Sequence, residues 1–127
     1  MVKRIIKSNT TFPISNAILH NQEYTLEIAG QIGINPITGE LFEDIDDQTT
    51  QIFENIKGIL KEIDWDLSNI IKVVIYLSDM KDYAKLNEIY SKFFTKDYPT
   101  RVAIAVKSLP RNALIEIECT ASGDKVK

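Results

Sequence analysis

The side chains best suited to chemistry lie near the C-terminus of this chain, in two segments that each have the pattern of a β-strand. Arg101 stands near the start of the first segment, residues 99–106, among valine and alanine. Glu116 and Glu118 alternate with isoleucine in the second segment, residues 114–118, so both carboxylates fall on one face of the strand. A guanidinium and a carboxylate held on rigid strands can bind a small carboxylic acid and a water molecule. We therefore predict a hairpin of two strands, joined by a short turn, that carries an anion-binding site.

The composition predicts one domain, residues 1–127, with a substantial core, because 44% of the residues are hydrophobic. The formal net charge is −3 and the lysines are scattered, which argues against a nucleic-acid partner, since phosphate binding needs clustered Lys and Arg. No segment approaches the roughly 20 apolar residues of a membrane span, and the N-terminus lacks the apolar run of a signal peptide. The single cysteine, Cys119, excludes an internal disulfide. We expect a cytoplasmic protein with no membrane partner.

Strand and helix patterns alternate along the chain in the order β, β-β, α, β, α, β-β. Apolar and β-branched runs predict strands at residues 3–7, 17–20, 24–29 and 70–77, followed by the two C-terminal segments. Two helices and about six strands indicate an α+β fold, in which both helices pack on one face of a mixed sheet. The strands are too apolar for their other face to contact water. We expect association with further copies of the chain to cover that face.

Both helices are predicted from the spacing of their apolar residues. Isoleucine and leucine recur at helical intervals over residues 52–63, and aromatic and aliphatic residues form one core-facing side over residues 83–93. The N-cap candidates are Asp46 or Asp47 for the first helix and Asp79 or Asp82 for the second.

Several kinds of chemistry are excluded by what the sequence lacks. His20 is the single histidine, which rules out a histidine-based metal cluster and most Ser-His or Cys-His nucleophiles, and we expect it on the surface beside a turn. Cys119 shares the apolar side of its strand and is expected to be a buried, unreactive thiol. The acidic run at residues 43–47 lacks calcium-loop spacing and is typical of a helix N-terminus. No metal and no cofactor is implied, which leaves charge chemistry on a small anion.

Several segments resemble, in order and near spacing, the YjgF/RidA family of reactive-intermediate deaminases. They are residues 29–40, 48–57, 72–80, 86–94, 99–110 and 115–118, within a match of roughly residues 12–121. The resemblance implies a chorismate-mutase-like fold of the β-α-β-β-α-β type and a homotrimer with a central barrel and sites between subunits. It also implies hydrolysis of 2-imino acids, such as 2-iminopropanoate and 2-iminobutanoate, to 2-oxo acids and ammonia. This activity removes reactive enamine and imine intermediates without a cofactor.

The resemblance assigns the central roles residue by residue. Arg101 matches the family's arginine, whose planar fork grips the substrate carboxylate. Glu116 matches the glutamate that orients or activates the attacking water, and Glu118 on the same face is the competing candidate.

Four further residues match positions around the family's ligand. Gly30 and Ala103 stand where backbone groups face the ligand, although cysteine is the common residue at the second position. Asn87 matches a helix asparagine near the site, and its alternative is an ordinary place on the helix surface. Ile14 stands where the deaminases have a tyrosine that lines the substrate pocket. Since isoleucine cannot donate a hydrogen bond, this departure bears on substrate choice and rate.

The predicted hairpin would pair Arg101 with the neighbourhood of Thr120, which places Glu116 about 13 Å away by strand rise. One small ligand cannot span that distance, so we expect the two residues to meet across a subunit boundary. Two alternatives to the hydrolase stay open at this stage. One is a non-catalytic trimer that binds small carboxylates or regulates through the same cleft. The other is a ribonuclease or translation inhibitor, against which the acidic charge weighs.

Overall fold

The computed structural model of this chain describes residues 3–127. The bounds of its strands and α-helices are β1 Lys3–Lys7, β2 Ser15–His20, β3 Tyr24–Gln31, α1 Ile45–Lys61, β4 Ile70–Leu77, α2 Tyr83–Phe93, β5 Thr100–Ala105 and β6 Ile115–Gly123. Short 3-10 turns occupy Leu67–Asn69, Met80–Asp82 and Pro110–Asn112. Each strand and helix expected from the sequence is present, with ends shifted by a few residues.

The strand β4 is an inner strand of a four-stranded mixed sheet with the order β3-β6-β4-β5. β5 runs parallel to β4, with Arg101 level with Val73, and β6 runs antiparallel to it, with Glu116 level with Tyr76. The expected hairpin is therefore wrong, because β4 lies between its two strands. A parallel pair needs a crossover connection, which α2 supplies between β4 and β5. β6 pairs with the other edge of β4, so this nearly all-apolar strand has a hydrogen-bonded neighbour on each edge.

The strands β1 and β2 form a separate antiparallel ribbon. The backbone N–H of Ser15, at the start of β2, donates to the carbonyl of Pro99 at 3.0 Å. The ribbon is thereby attached to the segment that leads into β5.

The helices α1 and α2 pack on one face of the sheet and enclose the core. Phe53 of α1 meets Tyr90 of α2 and the following Phe94 in an aromatic cluster, whose ring centroids lie 4.6 to 5.8 Å apart. Burying one such side chain contributes about 1.5–3 kcal/mol relative to leaving it exposed. The expected α+β class, with two helices on one face of a mixed sheet, is confirmed.

The first helix begins earlier than its pattern suggested. Oδ1 of Asp44 accepts from the backbone N–H of Asp47 at 2.7 Å, so Asp44 is the N-cap in place of Asp46 or Asp47. Asp46 and Asp47 lie in the first turn, where their negative charge interacts favourably with the positive end of the helix dipole. The helix ends at Lys61, two residues before the end of its apolar pattern over residues 52–63.

The two residues expected to cap the second helix have different roles. Asp79 caps the 3-10 turn Met80–Asp82, since its Oδ1 accepts from the backbone N–H of Lys81 at 2.8 Å. Asp82 holds the N-cap position of α2 without a side-chain hydrogen bond to the helix.

The face of the sheet opposite the helices is called the open face. By strand register it carries Glu27, Lys72, Val74, Tyr76, Thr100, Val102, Ile104, Glu116, Glu118 and Thr120. Its apolar character is concentrated toward β5, where Val102 is 46% exposed and Ile104 is 44% exposed. Its acidic side chains lie on β3 and β6. Within residues 3–127, no helix combines the length and apolar composition needed to cross a membrane.

Candidate functional site

Arg101 lies on the outer strand β5 and faces the helix layer. Its neighbour in the parallel pair, Val73, is buried in the core, and residues level with each other on adjacent strands share a face. Nη2 of Arg101 donates a hydrogen bond of 3.1 Å to Oη of Tyr83, and its guanidinium carbon lies 4.8 Å from the ring centroid of Tyr90. A cation–π contact is worth about 0.5–2 kcal/mol, depending on desolvation. Two aromatic residues of α2 therefore hold the guanidinium in place.

One buried hydrogen-bond donor and one buried acceptor near the Arg101 guanidinium have no hydrogen-bond partner. Nη1 of Arg101 and Oδ1 of Asn87 are both shielded from solvent and form no hydrogen bond within residues 3–127. Asn87 follows Tyr83 by four residues and precedes Tyr90 by three, so these side chains share one face of α2. Both tyrosine rings contact Arg101, so this face is directed at β5. We call Arg101, Tyr83, Asn87 and Tyr90 the arginine cluster.

Leaving a buried polar group without a partner costs about 1–3 kcal/mol. A ligand that offers an acceptor to Nη1 and a donor to Oδ1 would remove both penalties. Ala103 lies two residues beyond Arg101 on the same face of β5, level with Ile75, and packs against the edge of the core. Its small side chain keeps the backbone of the outer strand open to close approach.

Glu116 and Gly30 form a second group, which we call the glutamate corner. Gly30 lies on β3, where the pairing with β6 shifts between Ile28 and Gln31. A Cβ added at Gly30 would lie 2.9 Å from Cδ of Glu116, so the carboxylate occupies space that only glycine leaves free. Within residues 3–127 the carboxylate of Glu116 forms no hydrogen bond or ion pair. It is therefore available to hold a water molecule.

Glu118 differs from Glu116 because it already has a partner. Oη of Tyr76 donates a hydrogen bond to Oε1 of Glu118, and this bond raises the pKa of the Tyr76 hydroxyl. Glu118 also lines a cavity of about 380 Å³ on the open face, together with Glu27 and Lys72. Of the two carboxylates, Glu116 is the one left free for a ligand or water.

The two groups lie on opposite faces of the sheet. Arg101 is level with Val73 and faces the helices, whereas Glu116 is level with Tyr76 and faces away from them. They stand two strands apart and three residues apart along β4, a separation of about 14 Å from standard strand spacings. The two strands are separated by β4 and do not form the expected hairpin. A single chain nevertheless keeps the two side chains far apart, as the hairpin would have done.

Ile14 belongs to neither group as defined above. It lines a cavity of about 380 Å³ between β1, the loop before β2 and residues 95–98, together with Phe12 and Tyr98. Within residues 3–127 the lining of this cavity includes neither Arg101 nor Asn87. The structure of a single chain thus places Ile14 near the start of β5, in a cavity whose lining, among the residues described, does not include the arginine cluster.

Sequence reasoning missed the role of Tyr83 and Tyr90, which it took as core residues of the second helix. Tyr90 is fully buried, but its ring also supports Arg101. The available signal was the seven-residue spacing of two tyrosines on a helix that leads directly to a strand bearing a lone arginine.

The remaining candidates take the structural roles expected of them. His20 is partly exposed at the end of β2, and its Nδ1 accepts from the backbone N–H of Gln22 at 3.2 Å. Burial raises the pKa of the Cys119 thiol to about 12, with Glu118 adding to the effect, so the thiol stays protonated and unreactive near neutral pH. Within residues 3–127, histidine, cysteine and acidic side chains form no group of three that could hold a metal ion.

Comparisons with known proteins agree with this fold. The family model described as Endoribonuclease L-PSP matches residues 7–122. A RutC family protein of Pyrococcus horikoshii is 53% identical over 97 residues, covering 76% of this chain and 77% of that protein. A human protein named 2-iminobutanoate/2-iminopropanoate deaminase is 33% identical over 126 residues, covering 95% of this chain and 90% of that protein. The crystal structure of RidA from an Antarctic Psychrobacter has a TM-score of 0.75 at 34% identity, covering 93% of each chain.

Proposed function

Since the chain belongs to the YjgF/RidA family, we propose that it is a cytoplasmic hydrolytic deaminase of 2-imino acids, which it converts to 2-oxo acids and ammonia. Its named relatives include a reactive intermediate deaminase of Arabidopsis thaliana and the human imino-acid deaminase. We expect the substrates to be small, such as 2-iminopropanoate and 2-iminobutanoate.

The observation that carries this proposal is that the arginine cluster holds, besides the hydroxyl of Tyr90, a donor and an acceptor that have no partner within the described residues and that one ligand can satisfy. Nη1 of Arg101 needs an acceptor and Oδ1 of Asn87 needs a donor. A 2-imino acid has both on adjacent carbons, because its carboxylate accepts and its imine nitrogen carries hydrogen. A 2-oxo acid has only acceptors. The cluster therefore suits the proposed substrate better than the proposed product.

The chemistry needs one water and one group that moves protons. Water adds to the imine carbon, and a carboxylate such as Glu116 takes its proton. The same carboxylate returns this proton to the nitrogen, which gives a carbinolamine. The carboxylate then transfers the hydroxyl proton to the amino nitrogen as the C–N bond breaks, so ammonia leaves with the imine hydrogen and both hydrogens of the water. The water oxygen remains as the new carbonyl oxygen. The free carboxylate at the glutamate corner fits this task, whereas Glu118 is already bound by Tyr76.

The site requires a second copy of the chain, and we propose a homotrimer in which the glutamate corner of one subunit meets the arginine cluster of another. The separation of about 14 Å and the opposite faces support assembly in trans. The half-exposed Val102 and Ile104 on the open face provide apolar surface for such association.

A complementation experiment tests assembly in trans. Arg101→Ala and Glu116→Ala chains are inactive alone in this scheme, whereas mixed trimers made by co-refolding contain some intact sites. We expect part of the wild-type activity to return in the mixture. A mixture as inactive as its components would contradict the shared site, and light scattering on each sample reports the oligomer independently.

The activity itself is tested by generating 2-aminoacrylate from serine with a dehydratase and trapping the surviving imine with semicarbazide. Wild-type protein should remove the imine faster than Arg101→Ala protein by about 100-fold or more, since the variant lacks the guanidinium that binds the substrate carboxylate. Equal rates for the two proteins would refute the hydrolase. If 2-oxobutanoate still binds in that case, the protein is a small-carboxylate-binding trimer.

A further inference from the structure

The hydroxyl of Tyr83 is bound to Arg101 in a way that leaves its own hydrogen free. Nη2 of Arg101 lies 3.1 Å from Oη of Tyr83. An arginine side chain has donors only, so the tyrosine oxygen must be the acceptor in this bond. The phenolic hydrogen is then directed elsewhere, and within residues 3–127 it forms no hydrogen bond to an acceptor.

Two donors, one on Arg101 and one on the tyrosine bonded to it, are left without an acceptor in the described part of the chain. One is the phenolic O–H of Tyr83, and the other is the buried, unpaired Nη1 of Arg101. A carboxylate has two oxygen atoms and accepts from two parallel donors. The Tyr90 ring fixes the guanidinium, with its centroid 4.8 Å from the central carbon, so the two donors are held in a constant relation.

We propose that Tyr83 is a carboxylate-binding residue, whose hydroxyl accepts from Arg101 and donates to one oxygen of the ligand carboxylate while Nη1 of Arg101 binds the other. This proposal rests on the deaminase function proposed above and adds a contact to it. Ile14 offers no hydroxyl and lines a cavity whose lining within residues 3–127 does not include Tyr83. Tyr83 supplies the phenolic donor that the chain lacks at that position.

A donating hydroxyl at Tyr83 should also create a preference for charged ligands. Removing it leaves the guanidinium and its charge in place but deletes one hydrogen bond to an anionic oxygen. Such a bond matters for a carboxylate and much less for a neutral carboxamide, because bonds to charged groups are about twice as strong. The selectivity for acids over their amides should therefore depend on Tyr83.

The test compares wild-type protein with Tyr83→Phe, using Tyr24→Phe as a matched control on the exposed end of β3. Affinities for 2-oxobutanoate and for its neutral amide are measured by calorimetry, and kcat and KM are measured with the enzymatically generated imine. In Tyr83→Phe we expect the Kd for 2-oxobutanoate and the KM to rise by about 10-fold or more, with kcat within about threefold of wild type. The Kd for the amide should change by less than about threefold.

The outcomes separate this inference from the proposed function. An active wild type whose KM and 2-oxobutanoate affinity are unchanged by Tyr83→Phe overturns the role of Tyr83 and leaves the deaminase intact. An inactive wild type whose 2-oxobutanoate affinity depends on the hydroxyl supports Tyr83 and overturns the deaminase. Equal losses for acid and amide would show that Tyr83 only shapes the cluster, which also overturns the inference. Tyr24→Phe should behave as wild type throughout.

Discussion

The arginine cluster and the glutamate corner differ in how their charged groups are held. The guanidinium of Arg101 is fixed by a hydrogen bond to Tyr83 and by the ring of Tyr90. The carboxylate of Glu116 lies against Gly30 with no polar partner within residues 3–127. One chain therefore fixes the guanidinium that we propose binds an anion, but leaves the carboxylate that we propose transfers protons to be positioned by its surroundings. A binding group benefits from rigidity, whereas a group that moves protons must reach both water and nitrogen.

The largest expected effect comes from replacing the fork of Arg101. Arg101→Lys keeps the charge but loses the planar pair of donors and the stacking on tyrosine, so we expect kcat/KM to fall by about 100-fold. Steady-state kinetics with the trapped imine checks this, and circular dichroism confirms the fold. Near-wild-type activity in Arg101→Lys would mean that charge alone suffices and that the rigidity of the cluster is irrelevant.

A matched pair of substitutions separates the two carboxylates of β6. Glu116→Gln should lower kcat by about 100-fold, because general acid–base catalysis typically contributes 10²–10⁴-fold. Glu118→Gln should leave kcat within about threefold, since its carboxylate is occupied by Tyr76. Rate measurements on both variants decide the matter, and the reverse ranking would move the catalytic role to Glu118.

The glutamate corner can be disturbed without touching a charged residue. The Cβ of Gly30→Ala would enter the space of the Glu116 carboxylate, 2.9 Å from its Cδ. The side chain must swing aside, so we expect kcat to fall by roughly 10- to 100-fold, as for a misplaced reacting group. Because a flexible side-chain end yields easily, Tm should change little. A large loss of Tm with unchanged kcat would show that Gly30 serves the fold instead.

A pH experiment probes Cys119, on the helix-facing side of β6 between the two groups. The pKa of its thiol is raised from 9.0 to about 12 in the folded protein. Between these two pH values the unfolded chain loses the thiol proton while the folded chain keeps it. The stability linked to the protonated thiol is thus complete below pH 9 and is lost as pH rises toward 12. Unfolding titrations across that range should show a steeper decline for wild type than for Cys119→Ala. Parallel curves would contradict the burial of the thiol.

The smallest effect is expected at Tyr90, whose ring supports Arg101 while its hydroxyl is buried without a partner. Tyr90→Phe keeps the ring and removes the unsatisfied group. We expect the free energy of unfolding to stay equal or to rise by about 1 kcal/mol. Denaturant titration measures this, and a loss of 2 kcal/mol or more would reveal an undetected partner for the hydroxyl.

Much of the fold follows from local patterns in the sequence. The alternating apolar run of residues 70–77 identifies β4, and the helical spacing of apolar residues identifies α1 and α2. The chemical types of Arg101 and Glu116 suggest binding of an anion, and the family resemblance predicts the fold. These properties depend on neighbours within a few residues, so they can be read along the chain.

The tertiary structure alone decided which strands are neighbours and which face each charge occupies. Val102 and Ile104 form the more apolar side of β5, yet they lie on the open face, while Arg101 and Ala103 face the helices. This inversion follows from the crossover through α2, which sets β5 parallel to β4 with Arg101 beside the tyrosines. Strand pairing depends on competition among distant segments for the same edges and the same core. The sequence by itself therefore determined the chemical groups, and long-range packing determined that no single chain unites them.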